Sequence, residues 1–219
     1  ALQASTGGLA SSQYTGWIWE SHANWHAHQL PEFHKTNVHC SEMLPNFPHL
    51  YLGSTRDRYC NWQFLEYLKD KYCYSAVSDV WEKSPKSDNA QRAADPFSVI
   101  QANLGWTVSQ LNDFFGEWAL HNVTWDYKDP DGSDQGALYR KSYGPITDVG
   151  GGMPAGSRRL RLTRLEPLDL AAKRFATPAA WAPQRWGYNV VRLFVEPGAT
   201  SVRVKFRGVL QPAAANTNF

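Results

Sequence analysis

The sequence lacks a strong excess of either charge. Lys and Arg together number 22, Asp and Glu number 20, and the formal net charge is +2 at pH 7. Domains that bind nucleic acid usually carry a basic patch that contacts the phosphates. No run of basic residues interleaved with aromatic residues occurs in this chain, so we expect no nucleic-acid partner.

Long apolar runs are also missing. A helix that crosses a bilayer needs about 20 consecutive apolar residues, and no stretch of this chain approaches that length. The opening "ALQASTGGLASSQ" has neither the basic start nor the apolar core of a signal peptide. We therefore expect no membrane partner, and we expect any export signal to have been removed. Sparse lysine and glutamate favour a secreted, extracellular protein.

Cysteine is scarce, and the count is odd. The three cysteines are Cys40, Cys60 and Cys73, so at least one thiol is free or pairs outside this chain. If "YCNWQFLEYLKDKYC" is one helix, Cys60 and Cys73 lie roughly 20 Å apart at the usual helical rise, which is too far for a disulfide. We predict a Cys40–Cys60 disulfide. Three buried free thiols are the alternative.

Aromatic residues, in contrast, are abundant, with ten each of Trp, Tyr and Phe. Hydrophobic residues make up 42% of the chain, enough for a substantial core. Apolar residues recur at helical spacing through most of the first half. The predicted helices run from Gly16 towards Pro31, from about Arg58 to Tyr72, from Ser75 to Glu82, from Asp95–Pro96 onward, and from the capping box of Thr107 and Gln110 onward.

The second half has a different pattern. Residues 127–157 are rich in Gly, Asp and Pro, and residues 158–219 contain alternating segments. In "TSVRVKFRGVL", Val202, Val204 and Phe206 alternate with basic residues, as in a strand with one buried face. The turn-forming "EPGAT" just before it predicts a hairpin. We therefore predict an α+β fold with a helical region over 1–126, a connection over 127–157, and a small antiparallel β-sandwich over 158–219.

The stretch "TGWIWESHANWHAHQL" contains a carboxylate and several histidines on one predicted helix. A helix advances by about 100° per residue, so Glu20 and Asn24 share one face, whereas His22 and His26 share the opposite face. One metal ion cannot be bound by Glu20, His22 and His26 together while the helix is intact.

His22 and His26 alone could bind zinc, because an i, i+4 histidine pair does so in the His-Glu-x-x-His motif. The position of the motif's glutamate is Ala23 here. The favoured alternative is that the two imidazoles lie on a partly exposed face among Trp19 and Trp25.

The segment "GWIWESHANW" resembles the helix that supplies the third zinc ligand in gluzincin metallopeptidases, the thermolysin-like class. In that class a Trp-x-x-Glu-x-x-Ala pattern follows the His-Glu-x-x-His helix. The resemblance implies a zincin-like helical region in which Glu20 binds Zn²⁺. It also implies that Ala23 lets two helices approach and that Asn24 orients a ligand histidine.

The start of the chain extends this resemblance. Such enzymes often continue their motif as His-Glu-x-x-His-Ala-Leu-Gln, and this chain opens "ALQ" with nineteen residues before Glu20. The resemblance implies a C-terminal portion whose partner is the N-terminal half of the same protein, carrying His-Glu-x-x-His. The runs "STRDRYCNWQFLEYLKDKYC" and "RWGYNVVRL" also resemble secreted bacterial proteins of unknown function that join a metallopeptidase-like region to a β domain.

Zinc chemistry requires further residues around the metal. A catalytic zinc keeps one position open for a water whose pKa it lowers to about 7, and the resulting oxyanion needs a hydrogen-bond donor. Tyr59, Arg56, His39 and His121 are available. We take Tyr59 and His121 as the candidate catalytic residues.

A second metal is suggested by "DPDGSDQG". Asp129, Asp131 and Asp134 surround Gly132 and offer oxygen ligands of the kind that bind Ca²⁺. The spacing departs from an EF-hand loop, and the final glutamate is missing. A solvated Asp/Gly turn is the alternative.

These observations favour the C-terminal part of a secreted zinc peptidase that cleaves protein or peptide substrates, inactive as an isolated chain. The first alternative is a non-catalytic secreted module that binds glycan or protein on a degenerate peptidase scaffold. The second is another kind of hydrolase that uses Glu20 with Glu66 or Asp57.

Overall fold

The computed structural model describes Leu9 and residues 15–30, 47–54, 58–84, 95–143, 146–148, 158–160 and 162–208. Within these residues there are five α-helices and two small sheets. The helices are α1 (Gly16–His28), α2 (Trp62–Glu82), α3 (Pro96–Leu104), α4 (Val108–Thr124) and α5 (Gln135–Tyr143). The strands are β1 (Ile146–Asp148), β2 (Arg158–Leu160), β3 (Glu166–Asp169) and β4 (Arg174–Ala176).

The helix starts and stops follow local signals. Helix α1 begins at Gly16 as predicted and ends shortly before Pro31, whose ring cannot continue a helix. Helix α3 has Asp95 at its N-cap, and Gly105 ends it in the left-handed conformation at φ 65°.

The capping box predicted for α4 is confirmed. The Gln110 backbone N–H donates to the Thr107 hydroxyl oxygen at 3.3 Å, and the Thr107 backbone N–H donates to the Gln110 side-chain oxygen at 2.9 Å. Two of the donors that a helix start leaves without intrahelical partners are thereby satisfied.

Helix α2 contains a break where the sequence predicts two helices. Tyr72 has φ −135°, and Cys73 has φ 66° with ψ 172°, so neither residue is helical. The predicted helices therefore exist as two segments of α2, although the first begins at Trp62 and not at Arg58.

The core is aromatic, and α2 lies at its centre. Phe64 is fully buried, and its ring is within about 6 Å of Trp17 from α1, Phe97 from α3, and Phe114 and Trp118 from α4. All four contacts are edge-to-face, an arrangement that aromatic pairs prefer. One residue of α2 thus connects three other helices.

Helix α5 was not predicted and lies inside the predicted connection over 127–157. The Asp134 side chain accepts a hydrogen bond from the Ala137 backbone at 2.7 Å and so caps the helix. Gly136 lies against the chain after α4, where its N–H donates to the Tyr127 carbonyl at 2.7 Å and a Cβ would overlap the Trp125 carbonyl. The glycine in this segment therefore permits close packing inside a helix.

The predicted β-sandwich is wrong. Strands β1 and β2 form a parallel pair, β3 and β4 form an antiparallel pair, and the two pairs are separate sheets. The structure assigns no strand within 191–208, and Val202, Val204 and Phe206 are 52%, 65% and 91% exposed. Alternation alone does not build a sandwich, because a buried face needs a second layer, and among the described residues none covers these side chains.

The hairpin prediction is confirmed only at its turn. The Ala199 N–H donates to the Glu196 carbonyl at 3.1 Å, and Gly198 has φ 84°, as a type II turn requires of its third residue. The segments on either side of this turn are not assigned as strands. None of the helices in the described residues is long and apolar enough to cross a membrane.

The Cys73 backbone gives a stability prediction. Its dihedral angles fall in a region that essentially only glycine adopts without strain. We expect Cys73→Gly to raise the free energy of unfolding by about 1 kcal/mol, because relieved strain outweighs the added freedom of the unfolded chain. Cys73→Ala, which removes the thiol but keeps Cβ, is the control. Equal urea midpoints for the two variants would contradict the assignment of strain.

Candidate functional site

Glu20 lies in the middle of α1 and is partly exposed. Its carboxylate makes no hydrogen bond or ion pair with any residue in the described part of the chain. Two other glutamates differ: Glu66 is fully buried and bound by several donors, and Glu117 accepts from Tyr67 at 2.7 Å. Glu20 is therefore a partly exposed carboxylate on an ordered helix with no polar partner among the described residues.

Asn24 and Tyr59 are in contact. The Asn24 side-chain amide donates to the Tyr59 carbonyl at 2.5 Å, and the Ser21 hydroxyl donates to the Arg58 carbonyl at 2.6 Å. Residues 58 and 59 are thereby held against the face of α1 that carries Asn24. The Tyr59 side chain remains 43% exposed. The structure thus places the Tyr59 backbone beside Asn24, one helical turn after Glu20.

The opposite face of α1 is packed into the core. His22 is 2% exposed, and its ring lies 5.8 Å from that of Trp25 and 5.2 Å from that of Trp81. Burial lowers the pKa of His22 to about 3, with a smaller contribution from His26. His22 is therefore neutral and more deeply buried than expected for a partly exposed face.

His121 lies in a different part of the protein. Its ring is 4.5 Å from the Tyr67 ring, and its Nδ1 is 2.8 Å from an oxygen of Asp126. No contact among the described residues connects His121 with Glu20 or Tyr59. The two predicted catalytic residues, Tyr59 and His121, are therefore not brought together.

The three aspartates of the predicted calcium site have separate partners. Asp131 accepts from the Ser133 backbone at 2.9 Å, Asp134 caps α5, and Asp129 binds the Lys69 ammonium. Across the described ranges, no three His, Cys, Asp or Glu side chains are grouped so as to hold a metal ion. The calcium site stays a prediction.

Several predicted residues lie outside the described residues. They are Arg56, Asp57, His39 and Cys40. The Cys40–Cys60 pairing therefore stays a prediction, while Cys73 is exposed and its thiol is free. A free Cys73 agrees with the expectation that it does not pair with Cys60.

A buried ionic network connects α1 to α2. Glu66 and Lys69 have fully buried side chains, and the Lys69 ammonium lies 2.5 Å from a Glu66 oxygen. The other oxygen of Glu66 accepts from the Trp25 indole and the Gln29 amide, both at 2.9 Å. Glu66 therefore has donors on both oxygens and lies in the core, away from the exposed face of Glu20.

Lys69 carries this network to the chain after α4. Its ammonium also binds Asp129 and lies 3.6 Å from an oxygen of Asp70. Burial lowers the pKa of Lys69, but the attraction of Glu66 and the hydrogen bonds to Asp129 and Glu66 outweigh it and raise the pKa above its usual range. Lys69 stays charged. Glu and Lys three apart in a sequence normally indicate a solvated helix face, so the sequence alone does not reveal that this cation is buried.

Asp70 is the titratable member of the network. Its side chain is 10% exposed, and one of its oxygens accepts from the Lys128 backbone at 2.7 Å. Burial raises the pKa of Asp70 to about 7 against the lowering effect of that hydrogen bond. A carboxyl group with a pKa near neutrality can exchange protons in catalysis, but buried ion networks produce the same shift. The Lys69 and Lys128 contacts give Asp70 a structural role.

Comparison with known proteins gives one family. The model of the family described as "Family of unknown function (DUF6055)" matches residues 1–218. No curated protein and no solved structure matches the chain.

The Asp70 pKa predicts a pH dependence of stability. Between the unfolded value of 3.8 and the folded value of about 7, the folded state holds a proton that the unfolded state has lost, so the free energy of unfolding falls as pH rises. Asp70→Asn removes the titrating carboxyl group and, with it, this fall in the free energy of unfolding. We expect the variant to gain on the order of 2 kcal/mol relative to the parent between about pH 4 and pH 8, after allowance for solvent screening.

Urea unfolding of the parent and of Asp70→Asn at about pH 4 and at about pH 8 measures this gain in the free energy of unfolding. Asp113→Asn, which removes an exposed carboxylate from α4, is the control. A stability difference between Asp70→Asn and the parent that does not change with pH would contradict the raised pKa.

Proposed function

We propose a function for this chain from its own residues. The chain belongs to the DUF6055 family, whose function is unknown. In this proposal α1 supplies the glutamate ligand, Glu20, of a secreted gluzincin-type zinc peptidase. The two histidine ligands and the general base belong to a His-Glu-x-x-His helix in the N-terminal half of the protein, outside this sequence. The substrates are proteins or peptides.

The observation that carries the proposal is the available carboxylate of Glu20. A zinc ligand needs a deprotonated oxygen that is not engaged elsewhere, and Glu20 has no partner within the described residues. The residues around it, "GWIWESHANW", match the gluzincin pattern at Trp17, Glu20 and Ala23. One carboxylate ligand from this chain fits the donor set of such a centre.

The packing of α1 supports this role. Trp17 and Trp25 are buried, and Ser21 and Asn24 bind the backbone of residues 58 and 59. A helix held on both sides keeps a ligand carboxylate in place, and fixed ligand positions are needed for a precise metal geometry. Glu20 is thus presented by a rigid element.

When bound, zinc would lower the pKa of a water and polarise the scissile carbonyl. This chain would contribute two further features. Asn24 holds the Tyr59 backbone beside α1, and the Tyr59 side chain is 43% exposed. In this proposal the Tyr59 O–H donates to the oxygen that becomes negatively charged. His121 has no part in this arrangement, because its imidazole lies beside Asp126 and against the Tyr67 ring.

A second candidate is the non-catalytic binding module. It is favoured by exposed aromatic side chains, since Phe194 is 89% and Phe206 is 91% exposed. In that case the helical region would be a degenerate peptidase scaffold, and Glu20 would bind no metal.

Zinc binding by the full-length protein tests the proposal. We expect Glu20→Gln to weaken zinc binding by at least about 100-fold, because one of three protein ligands is lost. Glu82→Gln, at an exposed glutamate near the end of α2, is the matched control and should bind zinc like the parent. Competition with a chromophoric chelator measures the affinity. Absence of zinc from the parent protein, or equal affinities for the two variants, would exclude the proposal.

Tyr59→Phe tests the second residue in the same full-length protein. Loss of a donor to the developing oxyanion typically lowers kcat by about 100-fold or more. We expect that decrease in peptide hydrolysis, with little change in KM and with zinc content unchanged. Unchanged kcat would remove Tyr59 from the site and leave the Glu20 assignment intact.

A further inference from the structure

The segment around the turn at Glu196–Ala199 exposes an unusual amount of apolar surface. We call residues 191–195 and 200–208 the C-terminal arms. Single exposed apolar residues are normal, but a contiguous group marks an interaction surface. The exposed apolar residues of the arms are Leu193 (53%), Phe194 (89%), Val195 (52%), Val202 (52%), Val204 (65%) and Phe206 (91%).

The backbone of the second arm, residues 200–208, has no hydrogen-bond partner among the described residues. The turn between them is formed, with its hydrogen bond from Ala199 to Glu196. No described residue of the arms belongs to a β ladder, and the nearest bridge joins Val190 to Leu162. An unpaired extended segment offers its N–H and C=O groups to an added strand.

The charges of the second arm have one sign. Arg203, Lys205 and Arg207 alternate with the apolar residues, and none of them has an ion-pair partner within the described residues. Successive side chains of a strand point to opposite faces. When this arm pairs as a strand, it therefore presents an apolar face and a cationic face.

We propose that the C-terminal arms bind an extended protein segment in which apolar and acidic residues alternate, and that this segment adds as a β-strand beside Ser201–Arg207. In such a pair, apolar side chains of the partner lie opposite Val202, Val204 and Phe206, and its carboxylates lie opposite the cations. Cross-strand pairs of both kinds are stabilising. The proposal does not depend on the zinc site.

The charges favour this partner over two others. A second copy pairing through the same arm would place cations beside cations, which is destabilising. An anionic membrane would need the cations and the apolar residues directed at the same surface, whereas the alternation separates them. A bilayer also offers no partner for the free backbone groups.

Peptide binding tests the proposal. The probe is a fluorescein-labelled octapeptide of alternating Val and Glu, titrated with the protein and followed by fluorescence anisotropy. The controls are a peptide of the same composition with four Val followed by four Glu, and an alternating Val and Lys peptide. We expect the Val/Glu probe to bind at least 10-fold more tightly than either control, and to weaken as salt is added.

Charge reversal locates the binding surface. Arg203→Glu combined with Lys205→Glu should weaken binding of the Val/Glu probe at least 10-fold and strengthen binding of the Val/Lys peptide. Both residues are exposed, so we expect unchanged thermal unfolding. Arg185→Glu, at an exposed cation outside the arms, is the matched control and should bind like the parent.

Three outcomes would overturn the proposal. The first is that the alternating Val/Glu probe binds no more tightly than the block peptide. The second is a dimer in sedimentation that Val204→Ser with Phe206→Ser abolishes, which would assign the arms to a second copy. The third is binding to vesicles of phosphatidylserine and phosphatidylcholine with no binding of the probe, which would assign them to a lipid surface.

Discussion

The buried ion pair between Glu66 and Lys69 is the interaction on which the arrangement of the helical region depends. The Glu66 carboxylate accepts hydrogen bonds from Trp25 in α1 and from Gln29 at the C-terminal end of α1. The Lys69 ammonium binds Glu66 and also Asp129, which follows α4. Neither charge reaches solvent, so loss of Lys69 would leave the Glu66 carboxylate buried without a cation, at a typical cost of about 3–5 kcal/mol. The pair therefore orients α1 on α2 and ties both to the segment that leads into α5.

This orientation divides α1 into two faces with different roles. The face of His22 and Trp25 is packed against α2 and its ionic network, where burial keeps His22 neutral. The face of Glu20 and Asn24 contacts the backbone of Tyr59 and carries the proposed zinc ligand. His22 is thus part of the core, whereas His26 is exposed, and Glu20 is the candidate ligand under the proposed function.

Local signals in the sequence were enough to predict most of the helices. Residues close together in sequence determine the end of α1 before Pro31, the capping box of Thr107 and Gln110, and the break near Tyr72. The buried Lys69 could not be predicted, because its charge is compensated by Asp129, sixty residues away. The β-sandwich prediction was wrong for a related reason. The alternation around Val204 describes a single strand, whereas the second layer of a sandwich has to come from residues elsewhere in the sequence.

Binding of zinc by Glu20 is tested by the anomalous difference density at the zinc absorption edge in crystals of the full-length protein. We expect one zinc ion at about 2.0–2.2 Å from a Glu20 carboxylate oxygen, with two histidine nitrogens completing the protein ligands. A zinc ion bound elsewhere, with Glu20 facing solvent, would contradict it.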